Sequence, residues 1–118
     1  KIRELGAKAS IAVNPDVPLE RVEPYFPEID MVLMMTVFPG FAGQAFIEDV
    51  LTKIEKVRRV VEQRKLSILI EADGGIKADN IGRVVQAGAE VIVSGSGIFK
   101  TPDYADTIRR MRKAAASL

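Results

Sequence analysis

Short apolar runs alternate along the chain with longer segments in which apolar residues return every third or fourth position. Residues 8–14 are short, apolar and β-branched at their end, then broken by Pro15, and read as a strand. Residues 30–37 form a continuous apolar run, the pattern of a strand covered on both faces in a parallel sheet. A third run starts at Ser67 and passes through Ile70 into Glu71, Ala72 and Asp73, and a fourth spans 90–94. Between them, 46–64 is the clearest helix: Ile47, Val50, Leu51, Ile54, Val57 and Val61 repeat with helical period, and Glu48, Lys53, Lys56, Arg59 and Glu62 fill the solvated face. Residues 77–87 predict a second helix, with Ile81, Val84 and Val85 inward and Gly88 as its cap. Thr101-Pro102-Asp103 predicts a third helix start, with the Thr hydroxyl as cap and an apolar stripe of Tyr104, Ile108, Met111 and Ala115. A short helix is expected after Pro18, with Leu19, Val22 and Tyr25 inward, but Val17 offers no capping oxygen and weakens its start.

The order is therefore β-α repeated four times, at intervals of roughly 20 to 30 residues. Such alternation predicts a parallel α/β sheet with right-handed crossovers. Four βα units are half of an eight-fold TIM (β/α)8 barrel, whose usual size is about 250 residues. A small open four-stranded sheet is the alternative. Residues 1–6 read like the end of a helix with Gly6 as C-cap, and Lys1 is not an initiator Met, so the chain is expected to start within a larger unit.

Composition narrows the chemistry. The 118 residues are 47% hydrophobic and 28% charged, which describes a globular chain rather than a disordered one. A formal net charge of +1 gives no support for bulk nucleic-acid binding. The longest apolar run, 31–38, is too short to span a membrane, and no signal peptide is read. With no Cys there are no disulfides and no thiolate metal sites, which fits a reducing, cytoplasmic setting. With no His either, a metal held by this chain alone would need carboxylates, carbonyls or water.

Chemistry is concentrated where the strands end. Asp73 closes a strand and is followed by Gly74-Gly75, which lets backbone N–H groups approach a ligand beside a carboxylate. The plainer reading of Asp-Gly-Gly is a tight strand-to-helix turn. The next strand ends in Ser94-Gly95-Ser96-Gly97, and 98–100 can supply a helical turn. Together the two loops suggest a phosphate seat built from the N–H groups of Gly75, Gly95 and Ser96 and the Ser96 hydroxyl. A carboxylate at Asp73 then lies a sugar's length away, placed to take a proton beside a carbonyl or to hold a metal that stabilises an enediolate. Residues 38–45, with Pro39, Gly40 and Gly43, form a loop long enough to cover a ligand. Glu71 reads as a polar residue of a core layer, and Met31, Met34 and Met35 as core packing.

These residues resemble the ribulose-phosphate 3-epimerase family over essentially the whole chain. The resemblance is carried by Val13-Asn14-Pro15 with Pro18-Leu19-Glu20, by Met35-Thr36-Val37-Phe38-Pro39-Gly40-Phe41-Ala42-Gly43-Gln44, by Glu71-Ala72-Asp73-Gly74-Gly75-Ile76, and by Gly95-Ser96 before Ile98-Phe99. It implies a TIM barrel of which residues 1–118 are the C-terminal half, strands 5–8, acting in the pentose phosphate pathway. The implied reaction inverts C3 of D-ribulose 5-phosphate to give D-xylulose 5-phosphate, with two aspartates on opposite faces of an enediolate. Asp73 matches one of them, as acid/base and as ligand of a divalent metal, usually zinc, with iron, manganese or cobalt as alternatives. Gly40, Phe41, Ala42 and Gly43 match the loop that closes over substrate. Gly74, Gly75, Gly95 and Ser96 match substrate and phosphate contacts, and Met35 a methionine lining the pocket. The other aspartate and the metal-binding histidines of the family belong to the half not contained in 1–118, so the remaining ligands lie outside this chain. The resemblance implies a sugar phosphate as the small-molecule partner, a homo-oligomer, and neither nucleic acid nor membrane.

Three departures from the family pattern bear on specificity: Phe38 before Pro-Gly-Phe, Ala42 in place of a loop Gly, and Ala72 in place of a larger apolar residue. Within the same class, a hexulose phosphate such as allulose 6-phosphate is an alternative substrate that the sequence does not separate from the pentulose phosphate. A non-catalytic half-barrel and another phosphate-binding barrel are the remaining alternatives.

Overall fold

The computed structural model describes residues 1–40 and 44–116. Four parallel strands form one sheet in the order β1-β2-β3-β4: β1 (Ser10–Val13), β2 (Met31–Met35), β3 (Leu69–Asp73) and β4 (Val91–Val93). Sequential strands lie side by side, the arrangement that consecutive βα units give in a barrel. The helices are α1 (Val50–Gln63), α2 (Ile81–Ala87), the single turn α3 (Ser96–Phe99) and α4 (Tyr104–Ala116).

The strand register divides the sheet into two faces. Val13, Met34 and Ala72 stand in one row and Val32 and Ile70 in another, all buried against α1 and α2. Ile54, Val57 and Val61 of α1 and Val84 of α2 meet that face and make the core. The alternate residues, Met31, Leu33, Met35, Leu69, Glu71, Asp73, Val91 and Val93, point the other way, and Leu69 and Val93 are exposed. The apolar composition of β2 suits two covered faces, and this chain covers one.

Several element boundaries differ from the sequence pattern, each for a local reason. The first helix begins at Val50 rather than 46, because the Ile47 N–H donates to the Thr36 carbonyl at 2.8 Å and ties that segment to the end of β2. The second begins at Ile81 rather than 77, because the Asn80 side chain accepts the Lys77 N–H at 2.8 Å. The last starts at Tyr104, and its cap is the Asp103 carboxylate, which accepts the Asp106 N–H at 3.1 Å. The Thr101 hydroxyl is engaged elsewhere, donating to the Ile98 carbonyl. Thr107, not Tyr104, is buried in the first turn of α4.

After Pro18 the chain forms two 3-10 segments, Leu19–Arg21 and Glu23–Glu28, in place of one α-helix. Pro24 and Pro27 lack the N–H groups an α-helical ladder would use. The inward residue of the second segment is Phe26, fully buried, while Tyr25 is exposed. The expected helical end at residues 1–6 is a 3-10 turn, Arg3–Leu5, closed by Gly6 in the left-handed conformation.

Candidate active site

Parallel alignment brings the C-terminal ends of β2, β3 and β4 to one edge of the sheet. A cleft of about 300 Å3 opens there, lined by Met35, Val37, Pro39, Gly40, Gln44, Asp73, Gly74, Gly75, Gly95 and Ser96. It gathers every candidate residue within the described part of the chain: Met35, Gly40, Asp73, Gly74, Gly75, Gly95 and Ser96. Phe41, Ala42 and Gly43 lie outside the described residues. Val37, Pro39 and Gln44 also line the cleft, although the sequence pattern assigns them no contact of their own. All three belong to the Pro/Gly-rich run that ends β2, which was the available signal.

Asp73 is the last residue of β3 and pairs in register with Met35 on one side and Val93 on the other. Its side chain is half-buried and, among the described residues, supplies the one ionisable group of the lining. Glu71 shares that sheet face one layer deeper, paired with Leu33 and Val91, and does not line the cleft. Among the described residues no lysine or arginine lines it either, so an anion there would be met by backbone N–H groups and the Ser96 hydroxyl.

The turn after Asp73 needs its glycines. Gly74 has φ of 132° and Gly75 of 64°, both in the region L side chains rarely adopt. A Cβ on Gly74 would collide with the Val37 side chain, and one on Gly75 would lie 2.8 Å from the Phe46 nitrogen. The residues after β2 and the segment before α1 press on the turn so closely that it has no space for side chains.

For a metal, the donor set does not fit by itself. Among the described residues no three His, Cys, Asp or Glu side chains come close enough to share an ion. Asp73 alone offers one carboxylate, and one oxygen ligand is not a site.

With the geometry in place, comparison with known proteins decides the family. A sequence profile described as the ribulose-phosphate 3 epimerase family matches residues 1–99. The chain belongs to the ribulose-phosphate 3-epimerase family. A ribulose-phosphate 3-epimerase of Synechocystis sp. is 46% identical over 114 residues, covering 97% of this chain and 50% of that protein. One from Escherichia coli K12 is 42% identical over 117 residues, covering 99% of this chain and 52% of that protein. The chain thus spans about half the length of the curated relatives it matches. Among solved structures, 3-hexulose-6-phosphate synthase from Salmonella typhimurium aligns with a TM-score of 0.67 at 24% identity, over 96% of this chain and 51% of that one. That likeness fixes the fold: parallel βα units forming part of a TIM barrel. Among the described residues, no helix is long and apolar enough to cross a membrane.

Proposed function

We propose that residues 1–118 are the C-terminal half of a ribulose-phosphate 3-epimerase barrel, interconverting D-ribulose 5-phosphate and D-xylulose 5-phosphate. The observation that carries this reading is the single cleft that gathers Asp73, the diglycine turn and the Gly95-Ser96 loop. In this reading Gly75, Gly95 and Ser96 hold the phosphate through N–H groups and a hydroxyl. The sugar runs from there toward Asp73, with Met35 against its carbon chain and Gly40 near its edge.

Asp73 removes or returns the proton at C3. Loss of that proton moves the C3–H electron pair into an enediolate with the C2 carbonyl, and reprotonation of C3 from the opposite face completes the inversion. The acid/base group for the opposite face comes from outside 1–118. A divalent ion, zinc by family likeness, would take Asp73 as one ligand and the rest from outside this chain, and it would stabilise the enediolate. Family likeness also supports a cytoplasmic homo-oligomer acting on free sugar phosphate in carbohydrate metabolism.

The test is solvent exchange. The full-length polypeptide carrying this chain, incubated with ribulose 5-phosphate in D2O, should place deuterium at C3. Asp73→Asn should lower that exchange by at least about 10²-fold, the lower end of what a positioned acid/base group contributes. Exchange at the original rate in a folded Asp73→Asn protein would remove Asp73 from the mechanism. A hexulose phosphate is the second reading, and Phe38, exposed beside the cleft residues Val37 and Pro39, is the departure placed to bear on substrate size. A higher kcat/KM for allulose 6-phosphate than for ribulose 5-phosphate would establish it.

A further inference from the structure

The diglycine that makes the site also endangers it. Gly74 and Gly75 are the residues least able to hold a fixed backbone by themselves, yet they follow directly on the carboxylate that must be aimed. The structure supplies the missing restraint from outside the turn. The Asp73 carbonyl accepts the Thr36 N–H at 2.9 Å. The Gly74 carbonyl accepts the Thr36 hydroxyl. The Gly75 carbonyl accepts the Asn80 carboxamide N–H at 2.9 Å. The Ile76 carbonyl accepts the Ser94 hydroxyl at 2.7 Å. Four successive carbonyls are thus each held by a donor from a different part of the fold or a different atom of Thr36. Because a trans peptide is planar, fixing a C=O also fixes the N–H that follows it. The N–H groups of Gly74, Gly75, Ile76 and Lys77 are therefore aimed as well, and the last is seen on the Asn80 side-chain oxygen at 2.8 Å.

We propose that Thr36, Asn80 and Ser94 are positioning residues that together set the Asp73–Ile76 turn, and through it the direction of the Asp73 carboxylate and of the glycine N–H groups. They come from three places that meet only in the folded molecule: the residue after β2, the residue before α2 and the residue after β4. Thr36 is fully buried and Asn80 nearly so, so water does not substitute for their bonds. Thr36 acts on the Asp73 side of the turn, and its effect falls on proton transfer. Ser94 acts on the Ile76 side, beside Gly95 and Ser96, and its effect falls on the phosphate end. The Ser94 hydroxyl also lies where a side chain on Gly97 would collide with it, so β4's loop is packed directly on the turn it holds.

The proposal rests on the reading of Asp73 as the proton-transferring group. It is tested in the full-length polypeptide by following C3 exchange in D2O, with inorganic phosphate as competing ligand. Thr36→Val keeps the shape and removes the hydroxyl. It should lower kcat about 10-fold or more with KM within about 2-fold, the signature of an interaction used in the transition state. Thr36→Ser, which restores the hydroxyl, should bring kcat back to within about 3-fold of the original. Ser94→Ala should instead weaken phosphate inhibition and raise KM by more than it lowers kcat. If Thr36→Val does not fold, Thr36→Ser and Ser94→Ala decide: an unchanged KM and phosphate inhibition in Ser94→Ala would overturn the proposal. So would an unchanged kcat in a folded Thr36→Val. The parallel variant Asp73→Asn separates the two levels. Exchange lost in Asp73→Asn but normal in Thr36→Val sinks only the positioning role. Exchange retained in Asp73→Asn sinks the reaction assignment, and the positioning role with it.

Discussion

At the scale of single residues, two glycines at the cleft obey different physics, and substitution separates them. Gly75 has φ of 64° and backbone atoms of Gln44 and Phe46 within about 3 Å of where a Cβ would stand. An alanine there incurs about 1–2 kcal/mol from the left-handed backbone alone, and the collision adds to it. Gly95 has negative φ and nothing within 4 Å of its Cβ position. Urea denaturation should therefore show Gly75→Ala losing more than about 1 kcal/mol and Gly95→Ala staying within about 0.5 kcal/mol, as open surface positions do. Equal losses would mean that the turn relaxes around the added methyl. The sequence made the turn at Asp73-Gly74-Gly75 legible, because an acid followed by two glycines after a β-prone run is turn chemistry. It hid the donors that hold the turn. Thr36 lies 38 residues from Gly74 and Ser94 lies 18 from Ile76, and neither hydroxyl carries a local signal that names its acceptor.

At the scale of elements, Asp30 shows how the sheet is started. It precedes β2, and its carboxylate accepts the Ala9 N–H at 2.8 Å and the Arg3 guanidinium at 2.9 Å. It thereby joins the first turn of the chain and the entry to β1 to the entry of β2. The Arg3 hydrogen bond, aided by the Ala9 N–H, holds the Asp30 carboxyl below its ordinary value of 3.8. A carboxyl lowered on folding stabilises the native state fully above its unfolded value, and that stabilisation is lost as pH falls through the folded value. Melting of the wild type should therefore fall more steeply below about pH 4 than melting of Asp30→Asn, and the two slopes should converge at neutral pH. Parallel slopes through the acid range would show that the exposed pair contributes nothing measurable. The strands and the three longer helices were legible because short apolar runs and the 3.6-residue period are properties of neighbouring residues. Their starts were not, because Ile47 and Asn80 are drawn out of the helical pattern by bonds to the end of β2 and to the diglycine turn. The pattern reads the 3-10 segment Glu23–Glu28 as part of one helix with Tyr25 inward. Pro24 and Pro27 break that α-helical ladder, and only the packed sheet distinguishes buried Phe26 from exposed Tyr25.

At the scale of the molecule, the count of four βα units fits half a barrel or a small open sheet, the family likeness selects the half-barrel, and the structure shows what that half leaves open. β1 and β4 each have one neighbour, so both edges of the sheet carry unpaired backbone groups. The face opposite the helices presents Met31, Leu33, Met35, Leu69, Val91 and Val93 around the two acids, with Leu69 44% exposed and Val93 38% exposed. At the β4 edge an apolar groove of about 890 Å3 runs between α2 and α4, past Ile81, Val85, Ile108 and Met111. Residues 1–118 expressed alone should bury these surfaces against one another. All four strands run the same way, so the β4 edge of one copy can continue in parallel into the β1 edge of a second, and two copies can close a ring of eight strands. Sedimentation should then show dimers or larger species at micromolar concentration, and the full-length polypeptide should not share this mode. Leu69→Lys places a charge on the inner face without touching the helix-covered side, and it should shift the 118-residue chain toward monomer while leaving its helical content unchanged. A stable, compact monomer of the unmodified chain would show that the open face and edges are tolerated in water, and the exposed inner row would then have to be read as surface rather than as an interface awaiting its other half.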